Sequence, residues 1–454
     1  MVAAREPLFE QAAAIADKPC ACGREHAMPA VRVVLAENAL EQLPRLLAEL
    51  AVRKPFLLMD GNTQKAAGER AEALLLAAGI GCQTVVLPAA PKPQADLRTL
   101  PPLLSRAEGC DFVLGVGGGV INDLCKMLGL QMGVRTGVAA TAPSMDGYAS
   151  NSSAMIADGV KTTIYNQTPA FVLGDLAVLS KAPAALCGAG IGDMAAKAIS
   201  IAEWKIARIV TGEYYCPQIA GLMLSAFNRA LSGAQGCMRG DGPAIRELTE
   251  GLILSGMAMS MAGVSRPASG SEHTLSHLMD MLSIARGEEH RLHGVQVGYG
   301  VRVSLFLYEA LLSYGEQPPE PGAVLRQFHA ARWETEMRRM FGVQADGLIR
   351  TAAEEGRNTP EALVARARKA CAGWAEIRRI LAEVVSLKQE ITNALDAAGI
   401  PPLRNPQALG LSPADVVDLF VHSKDLRARY IMPAMAFDLG LLPWLRGLLS
   451  QALR

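Results

Sequence analysis

Along the first part of the chain, short apolar runs rich in Val, Leu and Phe alternate with longer stretches in which apolar positions recur every three or four residues. "VRVVL" precedes "ALEQLPRLLAEL", "PFLLMD" precedes "QKAAGERAEALLLAAG", and "CQTVVLP" leads through "LRTLPPLLSRAEG" to "DFVLGVGGG". The first pattern suits strands covered on both faces and the second suits amphipathic helices, so together they predict βαβ units and a parallel sheet. From about Pro183 the strand-like runs stop, and segments such as "AALCGAGIGDMAAKAISIAEWKIAR", "ELTEGLILSGMAMSMAG" and "VRVSLFLYEALLSYG" carry only the helical period. The expected architecture is an α/β domain (1–181) with a parallel Rossmann-like sheet, then an all-helical domain (182–454). The two join near "VLSKAPAAL", with the active site in the cleft between them. Helical patterns continue through 316–398. The polar stretch "TAPSMDGYASNSSAMIADGVKTTIYNQTP" reads as a long loop.

Composition narrows the function classes. Lys+Arg and Asp+Glu both number 44 in 454 residues, and half the residues are hydrophobic. Balanced charge without basic blocks argues against nucleic acid or an anionic membrane as the partner. The uncharged run Gly251 to Ser265 is short for a membrane span, and "MVAAREPLFEQ" lacks the apolar core of a secretory signal, so a cytoplasmic protein without a membrane span is expected. Nine scattered cysteines suit reduced thiols. "CACGREH" invites a metal reading for Cys20 and Cys22 with His26. However, C-x-C lacks the usual finger spacing and no second pair follows, so a surface or turn role is expected.

Candidate chemistry concentrates in a few places. Four of the seven histidines (His273, His277, His290 and His293) fall in "SGSEHTLSHLMDM" and "EEHRLHG". On a helix, His273 and His277 share a face, which suits either a metal pair or two half-exposed surface residues. Asp193, in "GAGIGDMAAKAI", is either an acid favoured by a helix N-terminus or the third member of an Asp plus two His set. In "DFVLGVGGGVINDLCKMLG", Gly117, Gly118 and Gly119 lie between a strand and a helix. There a backbone can approach a dinucleotide pyrophosphate, although a plain tight βα turn has the same signature. Asp60 ends a strand, either as a ribose ligand or as a turn former.

Taken together, "GVGGGVIND", "TAPSMDGYASNSSAMIADGVK", "GIGD", "SGSEHTLSH" and the later "HG" resemble the glycerol-1-phosphate dehydrogenases, in particular the bacterial AraM-type proteins. These belong to the superfamily of glycerol dehydrogenase, iron-containing alcohol dehydrogenases and dehydroquinate synthase. The likeness runs from about Phe56 to Gly300, with "HSKDLRARY" similar to the AraM-type ending. It implies one divalent metal ion (nickel, zinc or iron) on Asp193, His273 and His293. NAD or NADP is expected over Gly117, Gly118 and Gly119, with Asp60, Asp123, Thr141 and Ser144 around it. Asp146, Lys161 and His277 are the implied catalytic groups. His277 serves as a proton relay with a near-solution pKa, and His290 is a surface residue. The substrate is a small phosphorylated molecule, dihydroxyacetone phosphate, with Lys161, Arg266 and the "HSKDLR" segment as candidate phosphate partners, and the protein is a homo-oligomer, dimer or larger. Val120 departs from the Thr or Ser common after the glycines and removes one hydroxyl contact to the cofactor. Glycerol dehydrogenase is the main rival. A dehydroquinate synthase-like lyase is disfavoured because such relatives carry Glu at the position of Asp193, and a non-catalytic binding protein because the ligand set is complete.

Overall fold

The computed structural model describes residues 7–157 and 160–454. The first six residues and the Asp-Gly of the polar stretch, 158–159, lie outside the described residues. Six strands form one parallel sheet: β1 (Arg32–Ala36), β2 (Pro55–Asp60), β3 (Gln83–Leu87), β4 (Phe112–Gly117), β5 (Arg135–Ala140) and β8 (Phe171–Asp175), in the order β1-β8-β5-β4-β2-β3. Phe112, Val113, Leu114 and Val116 of β4 are all buried, as a strand covered on both faces requires. The chain runs from β2 outward to β3 in one direction and from β4 to β5 in the other. The crevice between the carboxyl ends of β2 and β4 is therefore the switch point at which such sheets bind ligands.

The polar stretch is not a loop throughout. It contains an antiparallel hairpin, β6 (Ser152–Ala157) and β7 (Val160–Tyr165), with Met155 and Ile156 buried. Its approach is gathered by the buried Lys126, whose ammonium donates to Gly147 O (3.0 Å), Ser150 O (3.2 Å), Ser150 Oγ (3.0 Å) and Ser152 O (2.5 Å). The small polar residues that imitate a surface loop are thus partners of a cation from the domain interior.

α1 (Gly119–Met132) belongs to the sheet domain, and the helical half is built around α2 (Ala184–Thr211), α3 (Pro217–Ser232), α4 (Gly242–Ala262), α5 (Ser271–Arg286) and α6 (His293–Tyr314). α2 is long and apolar enough to cross a membrane, but 83% of that window is buried inside the protein, where α6 packs along it. The helices of 316–398 extend the same core; Trp374 is buried there and donates to Gly315 O at 3.3 Å. The beginning of the chain departs from the expected boundary at 181. A helix at Leu8–Ile15 packs on α3 and α4, and Leu8 and Ala12 are buried in the helical core. The described residues before β1 therefore belong spatially with the second half of the chain.

Candidate active site

The centre is assembled where α2, α5 and α6 converge on the loop after β5. The two glycines beside the ligand residues make that convergence possible: a Cβ on Gly192 would overlap the carbonyl oxygen of Gly294, and one on Gly294 would overlap that of Ala189. Without side chains at these positions the backbones of α2 and α6 touch, which brings Asp193 up to His293. α5 contributes His273 and His277, one turn apart.

Asp193, His273 and His293 present ligand atoms that all lie within 4.8 Å of one another. His273 Nε2 is 3.3 Å from Asp193 Oδ1, while its Nδ1 is held 2.8 Å from Glu272 Oε1. Ser276 Oγ donates to Gln296 Oε1 (3.0 Å) and so accepts from His293 Nδ1 (3.1 Å). Each imidazole is therefore anchored through Nδ1 with Nε2 turned inward, the arrangement by which outer partners orient metal-ligating histidines. Burial works to raise the Asp193 carboxyl, but the Lys197 ammonium and His273 hold it well below the usual carboxylate range. Burial likewise opposes protonation of His273, but hydrogen bonds to Asp193 and Glu272 raise it to about 9 in the ion-free centre. An anionic carboxylate and two oriented imidazoles fit a divalent ion.

Lys197 was not anticipated from the sequence. It is fully buried and bridges the two halves of the protein, with Nζ 2.7 Å from Asp146 Oδ2, 3.3 Å from Asp193 Oδ1 and 3.3 Å from Ala268 O. Asp146 also accepts from Ser255 Oγ (2.8 Å), and its backbone N–H donates to Asp193 Oδ2 (3.0 Å). Asp146 is thus tied against the ligand set through its backbone and carboxylate. The D-x-x-x-K spacing of "GDMAAK" was the available signal, since it puts Lys197 on the Asp193 face of α2.

His277 lies beside the set, its ring centroid 6.3 Å from that of His293, and its Nδ1 is buried without a partner. The near-solution pKa expected for it is not met. Burial first, then the charges of Arg427, His293 and Lys161, hold its imidazole well below the ordinary histidine value. Lys161 stands on β7 and pairs with Asp280 (3.6 Å), while Arg427 reaches the same strand at Thr163 (3.4 Å). His290 is not a bare surface residue: it is half-buried and bonds Asp280 through Nδ1 at 3.1 Å. Arg266 is committed to Glu213, with Nε 2.7 Å from Oε1, and is removed from the candidate phosphate partners.

At the switch point, Gly118 caps α1 without any side-chain hydrogen bond to the helix start, which leaves the first N–H groups for an anion. The three glycines differ in what they accommodate. A Cβ on Gly117 would meet Ile121 at 2.7 Å and one on Gly119 would meet Met145 at 3.2 Å, whereas one on Gly118 would find only Ser144 Oγ, at 3.8 Å. Gly117 serves strand-to-helix packing, and Gly118 faces open space beside Ser144. Thr141, whose N–H donates to Gly117 O (3.3 Å), and Ser144 border this turn. Asp60 forms a capping box, with Oδ1 accepting from Asn62 N (2.8 Å) and Thr63 N (3.0 Å), at the same carboxyl edge of the sheet. Asp123 Oδ2 accepts from Ala154 N (3.3 Å), which ties α1 to the hairpin.

Residues 34–183 match the family model for iron-containing alcohol dehydrogenase. A glycerol-1-phosphate dehydrogenase [NAD(P)+] of Halalkalibacterium halodurans is 35% identical over 310 residues, which cover 66% of this chain and 76% of that protein. The enzyme of the same name from Pyrococcus horikoshii is 31% identical over 61% of this chain and 78% of its own. Among solved structures, a probable glycerol dehydrogenase from Sinorhizobium meliloti superposes with a TM-score of 0.62 over 94% of this chain and 99% of its own. At 16% identity this likeness speaks to the fold alone.

Proposed function

Because the chain belongs to the glycerol-1-phosphate dehydrogenase [NAD(P)+] family, we propose that it is a metal-dependent oxidoreductase that reversibly reduces dihydroxyacetone phosphate to sn-glycerol 1-phosphate with NAD(P)H. We read it as a cytoplasmic homo-oligomer. The observation that carries the substrate assignment is the pairing of the Asp193–His273–His293 set with two cations that both act on His277, Lys161 of β7 and Arg427, which reaches the same strand at Thr163.

Asp193, His273 and His293 would hold the divalent ion, which when bound supplies Lewis-acid polarisation of the substrate oxygen. The α1 N-terminus with Gly118, Thr141 and Ser144 would hold the dinucleotide, which supplies the hydride. The protein's own groups do the remainder. Lys197 keeps Asp193 ionised and fixes Asp146 against the ligand set, so the loop after β5 is held at one spacing from α2. Lys161 and Arg427 bind the phosphate. Its charge offsets theirs, which relieves the electrostatic depression of His277 and lets its imidazole exchange a proton with the substrate oxygen only when a phosphorylated substrate is present. An unphosphorylated polyol would leave Arg427 without a counter-charge.

The deciding experiment is steady-state oxidation of NADH and NADPH by metal-loaded protein on dihydroxyacetone phosphate and on dihydroxyacetone. The proposal requires kcat/KM to be higher on the phosphorylated ketone by at least about 100-fold, the scale of a charge-assisted contact pair. Arg427→Ala should erase most of that preference. Equal or better turnover of dihydroxyacetone would favour a glycerol dehydrogenase instead.

A further inference from the structure

Cys20, Cys22 and His26 lie on a turn, as their spacing suggests, but this turn is packed against a distant part of the chain. The Pro19 and Glu25 backbones bridge, and Gly23, at φ +84°, closes the turn through its N–H to Cys20 O (2.9 Å). A glycine accommodates that conformation without strain. The folded hairpin lies against the residue that caps α3, Cys216, which is 190 positions from His26 in sequence. His26 and Cys216 are both fully buried. The ligand atoms of all four residues lie within 4.8 Å of one another.

The distances are those of a small tetrahedron. Cys20 Sγ is 3.6 Å from Cys216 Sγ, and His26 Nε2 is 3.3 Å from Cys22 Sγ and 3.2 Å from Cys216 Sγ. Zinc bound to thiolates at about 2.3 Å and imidazole at about 2.0 Å spaces its ligands by about 3.8 Å between sulfurs and about 3.5 Å from sulfur to nitrogen. The histidine is already oriented for the role. Its Nδ1 lies 3.1 Å from Met261 O, which fixes the proton there and turns the Nε2 lone pair toward the sulfurs. The surroundings close the site: Tyr214 OH is 3.7 Å from Cys22 Sγ, Gln218 Oε1 is 3.2 Å from Cys20 Sγ, and Arg24 lies over the Tyr214 ring.

We propose that Cys20, Cys22, His26 and Cys216 hold a structural zinc ion, separate from the Asp193–His273–His293 set, that fastens the N-terminal hairpin to the start of α3 and the end of α4. Four protein ligands complete a tetrahedron and leave no position for substrate, which makes the site structural. Its three-sulfur, one-nitrogen donor set favours zinc over the harder divalent ions. Binding expels the thiol protons, and because the hairpin and α3 are distant in sequence, the ion adds to the stability of the folded chain.

The test uses the full-length protein purified under reducing conditions from zinc-supplemented growth. Two metal equivalents per chain are expected, one of them resisting dialysis against a chelator until a mercurial displaces the thiolates. Cobalt(II) replacement should give intense near-ultraviolet thiolate-to-cobalt charge transfer, which an oxygen and nitrogen donor set cannot produce. Cys22→Ser and Cys216→Ala should each remove one equivalent and that absorption, while His273→Ala removes the other equivalent and leaves the absorption in place. Should either cysteine variant fail to fold, the count and the cobalt spectrum of the unaltered chain still decide. The proposal is overturned by a chain that holds no chelator-resistant metal, by a cobalt form without charge transfer, or by rapid alkylation of all three cysteines in the native zinc-grown protein.

Discussion

Lys197 carries a charge that the centre cannot spare. Burial works against its ammonium, but Asp146 and Asp193 on either side keep it protonated. Lys197→Met would leave two buried carboxylates facing each other. Removing one partner from such a group typically costs about 3–5 kcal/mol, so urea denaturation of the ion-free protein should show a loss on that scale. A loss under about 1 kcal/mol would mean that the lysine is electrostatically idle. His277 makes a different prediction. It touches neither Asp193 nor an anchoring carboxylate, so His277→Ala should retain metal and NADH affinity while turnover falls by about 100-fold to 10,000-fold, the range of general acid–base catalysis. Metal analysis, NADH binding and turnover on one preparation separate the outcomes: lost metal makes it a ligand, and full turnover makes it a structural residue.

At the scale of elements, the centre depends on how closely α2 and α6 can approach. Gly294→Ala introduces a methyl group that overlaps the Ala189 carbonyl, so the helices must separate. Overpacking of this kind costs about 1–3 kcal/mol, and because His293 is the adjacent residue, metal affinity should fall along with the melting temperature. Intact affinity in a destabilised variant would show that the ligand set tolerates the shift. The motifs "GIGD" and "HG" mark these residues in the sequence, but the reason for their glycines is a contact between two helices, which no single segment's period contains. The β6–β7 hairpin hides in the sequence for a related reason: the polar residues leading into it answer to Lys126 of α1. Behind the centre, Glu203 of α2 accepts from Ser271 N (2.8 Å) and Met432 N (3.1 Å). Burial, reinforced by the neighbouring Glu272 charge, raises it to about 7. Its folded-state value therefore lies above its unfolded one. Its contribution to stability is fully present below about pH 4.5 and is lost as pH rises through 7, by at most about 3 kcal/mol. Glu203→Gln should flatten that decline, and parallel denaturation curves for the two proteins at each pH would refute it.

For the whole molecule, the succession of a parallel sheet and a helical half was legible because apolar strand runs stop where long helical periods begin, near Pro183. The site residues Asp193, His273 and His293 were legible through their motifs, and the structure brings them together. Less accessible were the partnerships between distant segments. Cys216 meets His26 across 190 positions and Arg427 meets Thr163 across 264, and neither pair leaves a local signature. The packing of residues before β1 on α3 and α4 is of the same kind, since only the folded chain shows which half the beginning of the sequence serves.

The strand order also carries a consequence for synthesis. β8 lies between β1 and β5, with Arg32 opposite Phe171 and Gly137 opposite the same residue on the other side. A ribosome adding about 5–20 residues per second takes on the order of ten seconds to travel from β1 to β8, its sheet neighbour. Through that interval β1 stays unpaired, and once β5 has been made its edge is open as well, both awaiting one late insertion. Recovery from denaturant should accordingly fall as protein concentration rises, with losses set by encounters between chains at those edges before β8 takes its place.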